Sequence, residues 1–128
     1  MPGVRGRPVK ALLVIIGGAR HDAAHAGLSL AAAAAALGRQ VFVHLHAEAV
    51  RIADPAMEWI EDQHFAACGL PAVGDLLAAA LDLGVTVNAC QSGLALTGLA
   101  AGALAPGVQA SGLIDVLARA VGAEIVMA

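Results

Sequence analysis

The sequence predicts a single three-layer α/β domain, with a mostly parallel sheet and helices on both faces of that sheet. Short apolar and β-branched runs alternate along the chain with longer stretches rich in alanine and leucine. This alternation is typical of strands joined by crossover helices, and such connections make neighbouring strands parallel. The chain has 128 residues, which is enough for one domain with one core.

The first half of the domain is predicted to hold two strands around one long helix. Lys10–Ile16 is a nearly continuous apolar run, which is typical of a strand covered on both faces. Ala23–Leu37 is rich in helix-forming residues, and Gly38 follows it as a C-cap. Gln40–His46 alternates in the manner of a second strand. The domain therefore begins with a β-α-β unit.

The second half is predicted to continue the same alternation. Residues 47–70 are less regular, with one or two helical turns at Met57–Glu61. Pro71 suits the first turn of a helix that runs to about Leu83, and Val85–Val87 is a β-branched run typical of a buried strand. The remaining predicted elements are a short helix at Leu94–Leu104, an extra short strand near Val108, a last helix at Gly112–Val121 and a last strand at Glu124–Met127.

The N-terminal residues need a separate interpretation. Residues 1–9 are rich in Gly, Pro and Arg and are predicted to form a flexible arm before a domain at residues 10–128. Basic residues followed by an apolar run also imitate a secretory signal. The run is short and leads into Gly17-Gly18 without a small-x-small cleavage site, so a first buried strand is the preferred interpretation. No other segment is long enough to span a bilayer, and no membrane partner is expected.

The composition favours self-association and argues against nucleic-acid binding. Hydrophobic residues make up 59% of the chain and charged residues 13%, so part of the apolar surface is expected to be covered by other subunits. The formal charge of −3 gives no electrostatic attraction to nucleic acid. Aromatic residues for base stacking amount to only 2%. We expect a homo-oligomer.

Cys90 is the candidate catalytic residue. It follows the predicted strand Val85–Val87, at the point where the strand opens into the glycine-containing loop Gln91-Ser92-Gly93. In open α/β sheets, ligands and chemistry collect at the carboxyl ends of the strands. Backbone N–H groups of Gln91, Ser92 and Gly93 would stabilise a thiolate, or the charge on a sulfur attached to it. A buried, inert cysteine is the alternative, because free cysteines are often packed in cores.

The second cysteine, Cys68, has no assigned role. The two cysteines are far apart and form no CxxC pair, which argues against a disulfide framework or a structural zinc site and favours a reducing cytoplasm. Cys68 either packs as a small hydrophobic residue or acts as a resolving thiol for Cys90.

Gly17 and Gly18 form a candidate ligand-binding turn. They follow the first strand and precede a helix, as in an anion-binding turn, and they should lie at the same sheet edge as Cys90. The full dinucleotide motif G-x-G-x-x-G is missing, so no nucleotide cofactor is expected. Close backbone approach at a tight turn explains the two glycines equally well.

Four histidines are placed towards this same edge. His44 and His46 share a strand face, and His21 and His25 share a helix face if the helix begins early. Imidazole and thiolate ligands suit zinc or copper, so a metal-binding cluster of these histidines with Cys90 is an alternative. The spacing matches no established metal motif, and no metal is assigned. The acidic residues are expected to lie on ordinary solvated faces: Glu58, Glu61, Asp62, Asp75 and Asp82.

Three stretches together resemble the DsrE/DsrF-like family of small α/β proteins linked to sulfur transfer. The first comprises Gly17-Gly18, residues 26–31 and residues 37–43, the second is residues 83–90 with Gly98, and the third comprises Gly107-Val108, Ser111-Gly112 and residues 123–126. Their order and spacing match the family, and they cover most of the chain outside residues 47–70.

The resemblance implies a flavodoxin-like or Rossmann-like fold that assembles as trimers or hexamers. In sulfur-relay members a cysteine at the end of this strand carries sulfur as a persulfide, and only Cys90 matches that position. Two departures stand out: Gly93-Leu94 replaces a Ser-Met pair of some relatives, and His44 and His46 replace aromatic or small residues.

The leading hypothesis is a cytoplasmic sulfur carrier or sulfurtransferase-like protein. It would need no cofactor, and its partners would be other copies of itself and proteins that donate and accept sulfur. The alternative is an oligomeric module that binds a small anion or a metal, in which Cys90 is structural. A scaffold without chemistry is a further alternative, and it predicts a buried, unreactive Cys90.

Overall fold

A computed structural model describes residues 9–128, and five short strands form its centre. The strands are β1 (Leu12–Ile16), β2 (Val41–Leu45), β3 (Thr86–Cys90), β4 (Gln109–Ser111) and β5 (Glu124–Met127). They form one sheet in the order β4-β3-β2-β1-β5, and every pair of neighbours is parallel. All carboxyl ends therefore meet at one edge of the sheet.

Five α-helices connect the strands. They are α1 (His21–Ala36), α2 (Glu61–Ala67), α3 (Val73–Asp82), α4 (Gln91–Thr97) and α5 (Leu113–Arg119), and two 3₁₀ segments lie at Ala47–Ala53 and Ala101–Ala103. None of the helices in the described part of the chain is long and apolar enough to cross a membrane. The predicted arm at residues 1–9 lies, apart from its last residue, outside the described residues.

The predicted fold class is confirmed: the chain is an α/β domain with a parallel sheet and helices on both faces. The short strand predicted near Val108 is present as β4. Two helix predictions were wrong in position. The helix placed at Leu94–Leu104 begins already at Gln91, directly after β3, and ends at Gly98, which has the left-handed φ of 73°. Residues 57–59 lie outside any helix, and the helix in this region is α2.

The larger core lies on one face of the sheet. Alternate strand residues such as Val14, Val43 and Val87 are almost completely buried there, beneath α1, α3 and the 3₁₀ segment Ala47–Ala53. The close packing of α1 on the sheet depends on Gly27, because a Cβ there would lie 2.8 Å from Ile16 Cδ1. The alanine-rich sequence of α1 is thereby explained by close helix-to-sheet contact.

The opposite face of the sheet has a much smaller core. Leu13 and Phe42 pack there against Val116 and Ala120, which lie on α5 and at its C-terminal end. On this same face, His44 of β2 is paired in register with Asn88 of β3. Polar side chains are thus buried on the face of the sheet that has fewer helices.

Candidate functional site

Cys90 ends β3 and is the cap residue from which α4 begins. The sequence therefore places the thiol at the carboxyl edge of the sheet, as predicted. Its exposed fraction is 3%, so the thiol is buried within the single chain. This burial is what the scaffold alternative expects, and any chemistry at Cys90 has to include a way for a reactant to reach it.

Two histidines of the neighbouring strand lie beside this thiol. His44 of β2 is paired in register with Asn88 of β3, and successive side chains on one strand face are two residues apart. His46 and Cys90 follow at the next position on that face. The ligand atoms of His44, His46 and Cys90 all lie within 4.8 Å of one another. The cluster combines a fully buried His44 with an exposed His46.

Polar atoms without hydrogen-bond partners are concentrated around this cluster. Within residues 9–128, the buried side-chain atoms without a partner are His25 Nε2, both ring nitrogens of His44, Asn88 Nδ2 and Ser111 Oγ. Ser111 of β4 is in register with Cys90, so the two side chains share a face of the sheet. Buried polar groups normally have partners, and each exception asks for an explanation. Three strands thus supply unpaired polar groups next to one thiol.

The pKa of His44 is lowered from its ordinary value. Burial disfavours the charged imidazolium, and the positive charge that His46 can carry adds repulsion. A neutral imidazole has one N–H donor and one nitrogen that accepts a proton or binds a metal. At neutral pH, His44 is therefore neutral and keeps both capacities.

Asn88 is held in place by Arg119, which lies at the end of α5 on the face with the smaller core. Arg119 Nη2, at the end of α5, donates a hydrogen bond of 3.0 Å to Asn88 Oδ1. Arg119 also lies 3.4 Å from Asp115 on the same helix. Because its carbonyl oxygen accepts from Arg119, the Asn88 amide group has its N–H₂ donors free for the region around Cys90.

The predicted ligand-binding residues have different surroundings. Gln91 and Ser92 are exposed at the beginning of α4, whereas Gly93 is buried against the 3₁₀ segment Ala47–Ala53. A Cβ on Gly93 would overlap the Ala47 carbonyl oxygen and lie 2.7 Å from Val50 Cγ1. Gly93 is thus required for packing, and it allows α4 to begin directly behind Cys90.

Gly17 and Gly18 lie at the carboxyl end of β1, which β2 separates from β3. Neither glycine has an atom within 4 Å of the position of a Cβ, so close backbone approach does not explain the pair. Two strand spacings, about 10 Å, separate this turn from the line of β3. It shares the sheet edge with Cys90 without contributing to the cluster of His44, His46 and Cys90.

His21 and His25 belong to a different cluster. The His21 imidazole Nε2 is 2.8 Å from Asp62 Oδ1, and both rings lie about 4.5 Å from the ring of Phe65 (4.5 Å and 4.6 Å between centroids). Asp62 Oδ1 also accepts from the Val73 N–H. The prediction that Asp62 lies on an ordinary solvated face was therefore wrong, because its carboxylate joins α1, α2 and α3. Glu58, Glu61, Asp75 and Asp82 are exposed, as predicted.

Cys68 lies at the C-terminal cap of α2 and is exposed, and both cysteines are free. The interpretation of Cys68 as a packed hydrophobic residue was therefore wrong for the isolated chain. Its thiol is not part of the group formed by Cys90 and the two histidines. Cys68 provides an internal comparison for the reactivity of Cys90.

Two polar residues of the site had no role in the sequence analysis. Asn88 lies two residues before Cys90, and the period of two along a strand places both on one face. Asn88 was therefore recognisable as a neighbour of the thiol. Ser111 depends on the pairing of β3 with β4, for which the sequence carries no direct signal.

Two large clefts lie away from this site. One of about 610 Å³ is lined by residues that include Arg20, Trp59 and Phe65. Another of about 650 Å³ is lined by Met57–Ile60, Asp62 and Gln63. Neither is lined by Cys90 or by the histidines of β2. The chemistry-bearing groups are thus gathered at a buried position, whereas the open clefts surround the loop before α2.

Comparisons with known proteins point to one family. The model described as "DsrE/DsrF-like family" matches residues 10–124, which confirms the resemblance seen in the sequence. Among solved structures, the chain is similar to the ychN protein from E. coli, with a TM-score of 0.68 and 14% sequence identity. The match covers 94% of this chain and 100% of the ychN chain. At that identity the likeness shows the fold. No curated protein matches the chain.

Proposed function

Because the chain belongs to the DsrE/DsrF-like family, we propose that it is a sulfur-relay protein in which Cys90 carries sulfane sulfur as a persulfide. Membership of this family suggests a role of the sulfur-relay type. The observation that carries the finer proposal is the set of unpaired buried polar groups around Cys90. A terminal sulfur with negative charge needs hydrogen-bond donors in a buried place, and Asn88, Ser111 and His44 supply them.

The reaction consists of two exchanges at sulfur. The Cys90 thiolate attacks the outer sulfur of a donor persulfide, an S–S bond forms at Cys90, and the donor leaves as a thiolate. An acceptor thiolate then attacks the outer sulfur on Cys90, which restores the Cys90 thiolate. Neither step needs an external oxidant or reductant, because one S–S bond replaces another.

Neutral His44 is suited to remove the proton from the Cys90 thiol. Its ring lies within 4.8 Å of the sulfur, and its lowered pKa keeps a nitrogen free to accept a proton near neutral pH. Persulfide chemistry at an unpaired thiol belongs to a reducing compartment, and the proposal places the protein in the cytoplasm.

Access is part of the proposal, since Cys90 is buried. His46 is the exposed member of the cluster, so solvent reaches to within one side chain of the sulfur. We expect the donor to reach Cys90 after displacement of the His46 side chain. Binding of the donor protein at this edge would then move the His46 side chain aside as well as deliver sulfur.

The proposed assembly is a homo-oligomer, a trimer or a hexamer. Several exposed apolar side chains lie on α5, just after it, and on the edge strand β5; we call this set the α5–β5 surface. It consists of Leu113, Ile114, Leu117, Val121, Ile125 and Met127. Exposed apolar surface of this kind is typical of subunit interfaces. Within residues 9–128, α5 is the one helix that covers this side of the sheet.

The test is the transfer of labelled sulfur through the protein. The chain is incubated with a small persulfide donor carrying radioactive sulfane sulfur, separated from the donor, and then mixed with an acceptor thiol. We expect Cys68→Ser to transfer label to the acceptor as the wild type does, and Cys90→Ser to transfer none. Equal transfer by Cys90→Ser would contradict the proposal.

A further inference from the structure

His44, His46 and Cys90 also form a ligand set of a kind that metals require. Among the described residues, this is the one group of at least three histidine, cysteine or acidic side chains whose ligand atoms are close enough to hold a single ion. Two of the ligands belong to residues that are at most 3% exposed. They come from neighbouring strands of a rigid sheet, which fixes their relative positions.

His44 gives a second, independent observation. Its side chain is fully buried, and neither ring nitrogen has a hydrogen-bond partner. Buried imidazole nitrogens without partners are rare because they have lost their hydrogen bonds to water. Coordination of a cation by one of these nitrogens satisfies it directly, and the other can donate to a neighbouring group, as in many metal sites.

The distances between the three ligand atoms need only a small change to suit one metal ion. Metal–nitrogen distances of about 2.0–2.1 Å and metal–sulfur distances of about 2.3 Å place two nitrogens and one sulfur roughly 3.3–3.6 Å apart in a tetrahedral site. The three donors lie within 4.8 Å of one another. Contraction by about 1 Å is within reach of side-chain rotation, and His46 is free to rotate because it is exposed.

We propose that His44, His46 and Cys90 bind one thiophilic cation, Zn²⁺ or Cu⁺. Two imidazoles and a thiolate suit these ions, whereas Mg²⁺ and Ca²⁺ prefer oxygen ligands, which this set lacks. On binding, the Cys90 thiol releases its proton, so affinity rises with pH. With three protein ligands, a tetrahedral Zn²⁺ site would keep a fourth position for water.

The metal site goes beyond the sulfur-relay proposal and has a consequence for it. The metal and the sulfane sulfur require the same Sγ atom, so a metal-bound Cys90 is not available to attack a donor. Occupancy by the cation therefore blocks sulfur loading. The site needs no persulfide in order to form, and the two proposals can fail separately.

The experiment is a metal titration of the reduced, chelator-treated protein without oxygen. Co²⁺ serves as the spectroscopic probe for Zn²⁺, because a cobalt–thiolate bond gives a charge-transfer band in the near ultraviolet. Cu⁺ is titrated separately against a chromophoric chelator. We expect one ion per chain in the wild type and in Cys68→Ser, no thiolate band in Cys90→Ser, and at least about tenfold weaker binding in His46→Asn.

His46→Asn is the decisive variant because His46 is exposed, and loss of its side chain leaves the core intact. His64→Asn, at an exposed histidine of α2, is the matched control and should bind as the wild type does. Wild-type binding no tighter than that of Cys90→Ser, or an equal loss in His64→Asn, overturns the metal site. Sulfur loading of the metal-free chain is measured in parallel, so that failure of the metal site is distinguished from failure of the sulfur relay.

Discussion

For single residues, the proposed function depends on the side chains that surround the buried thiol of Cys90. Cys90 is 3% exposed, yet the side chains beside it are those of His44, Asn88 and Ser111, which carry unpaired polar atoms. Cys90 packs into the larger hydrophobic core, as an inert cysteine would. Unlike such a cysteine, it also shares its sheet face with hydrogen-bond donors. The polar neighbours are the reason to assign chemistry to Cys90 despite its burial.

Removal of the His46 side chain should make Cys90 reactive from solution. In a Cys68→Ser background, we expect His46→Ala to increase the rate at which an aromatic disulfide reagent modifies Cys90 by several-fold, because the exposed ring no longer separates the sulfur from solvent. His64→Ala is the control and should leave the rate unchanged. A rate unaffected by His46→Ala would show that access runs elsewhere.

The lowered pKa of His44 predicts acid sensitivity of the fold. Below the ordinary histidine pKa of about 6.5, the unfolded chain takes up a proton at this residue that the folded chain resists. The free energy of unfolding therefore falls as the pH decreases through that value and on to the lowered pKa of folded His44. The groups that face His44 here are His46 and Cys90, with Asn88 held by Arg119.

Denaturant unfolding of the metal-free protein between neutral pH and about pH 5 measures this effect. His44→Asn should reduce the pH dependence, whereas His64→Asn, at an exposed site, should retain it. An identical pH profile in His44→Asn and the wild type would contradict the assignment.

At the scale of elements, the junction of β3 and α4 depends on Gly93. Its position leaves no room for a Cβ beside the Ala47 carbonyl oxygen and Val50. Gly93→Ala is expected to lower the free energy of unfolding by about 1–3 kcal/mol, because the 3₁₀ segment must move away. Gly102→Ala, where a Cβ meets no atom within 4 Å, should change it by no more than about 0.5 kcal/mol. Equal effects in denaturant unfolding would contradict this packing.

Much of this arrangement could be predicted from local patterns. The strand at Val85–Val87 and the loop that contains Gly93 indicated that Cys90 lies at the carboxyl edge of the sheet. The period of two along a strand indicated that His44 and His46 share one face. The order of the strands was not predictable, because it depends on which helices pack together. The pairing of β2 with β3 brings the histidines to Cys90, and the packing of α2 on α1 turns His21 and His25 away.

At the scale of the whole molecule, the uneven cover of the sheet predicts self-association. One face lies under several helices, whereas the other has only α5 among the described residues, and apolar side chains remain exposed on and beside it. Ile114 is 87% exposed and Leu117 41%. A second copy of the chain on the α5–β5 surface would remove these side chains from water.

Negative charges introduced on the α5–β5 surface should therefore dissociate the oligomer. We expect the wild type to sediment as a trimer or hexamer, and Ile114→Glu with Leu117→Glu to sediment as a monomer, because burial of two carboxylates opposes association. Leu37→Glu, at an equally exposed leucine after α1, is the control and should keep the wild-type mass. An unchanged mass for the α5 variant would exclude this surface as the interface.

If Cys90 carries sulfane sulfur, the sulfur should be seen in the mass of the intact chain. The metal-free protein is incubated with a small persulfide donor and measured without reduction. Cys68→Ser and a variant with both Cys68→Ser and Cys90→Ser are measured in parallel. We expect one additional sulfur atom on Cys68→Ser, none on the variant that lacks both thiols, and loss of the added sulfur after treatment with a reductant. No added sulfur on Cys68→Ser would contradict the sulfur-relay proposal and leave Cys90 as a structural residue.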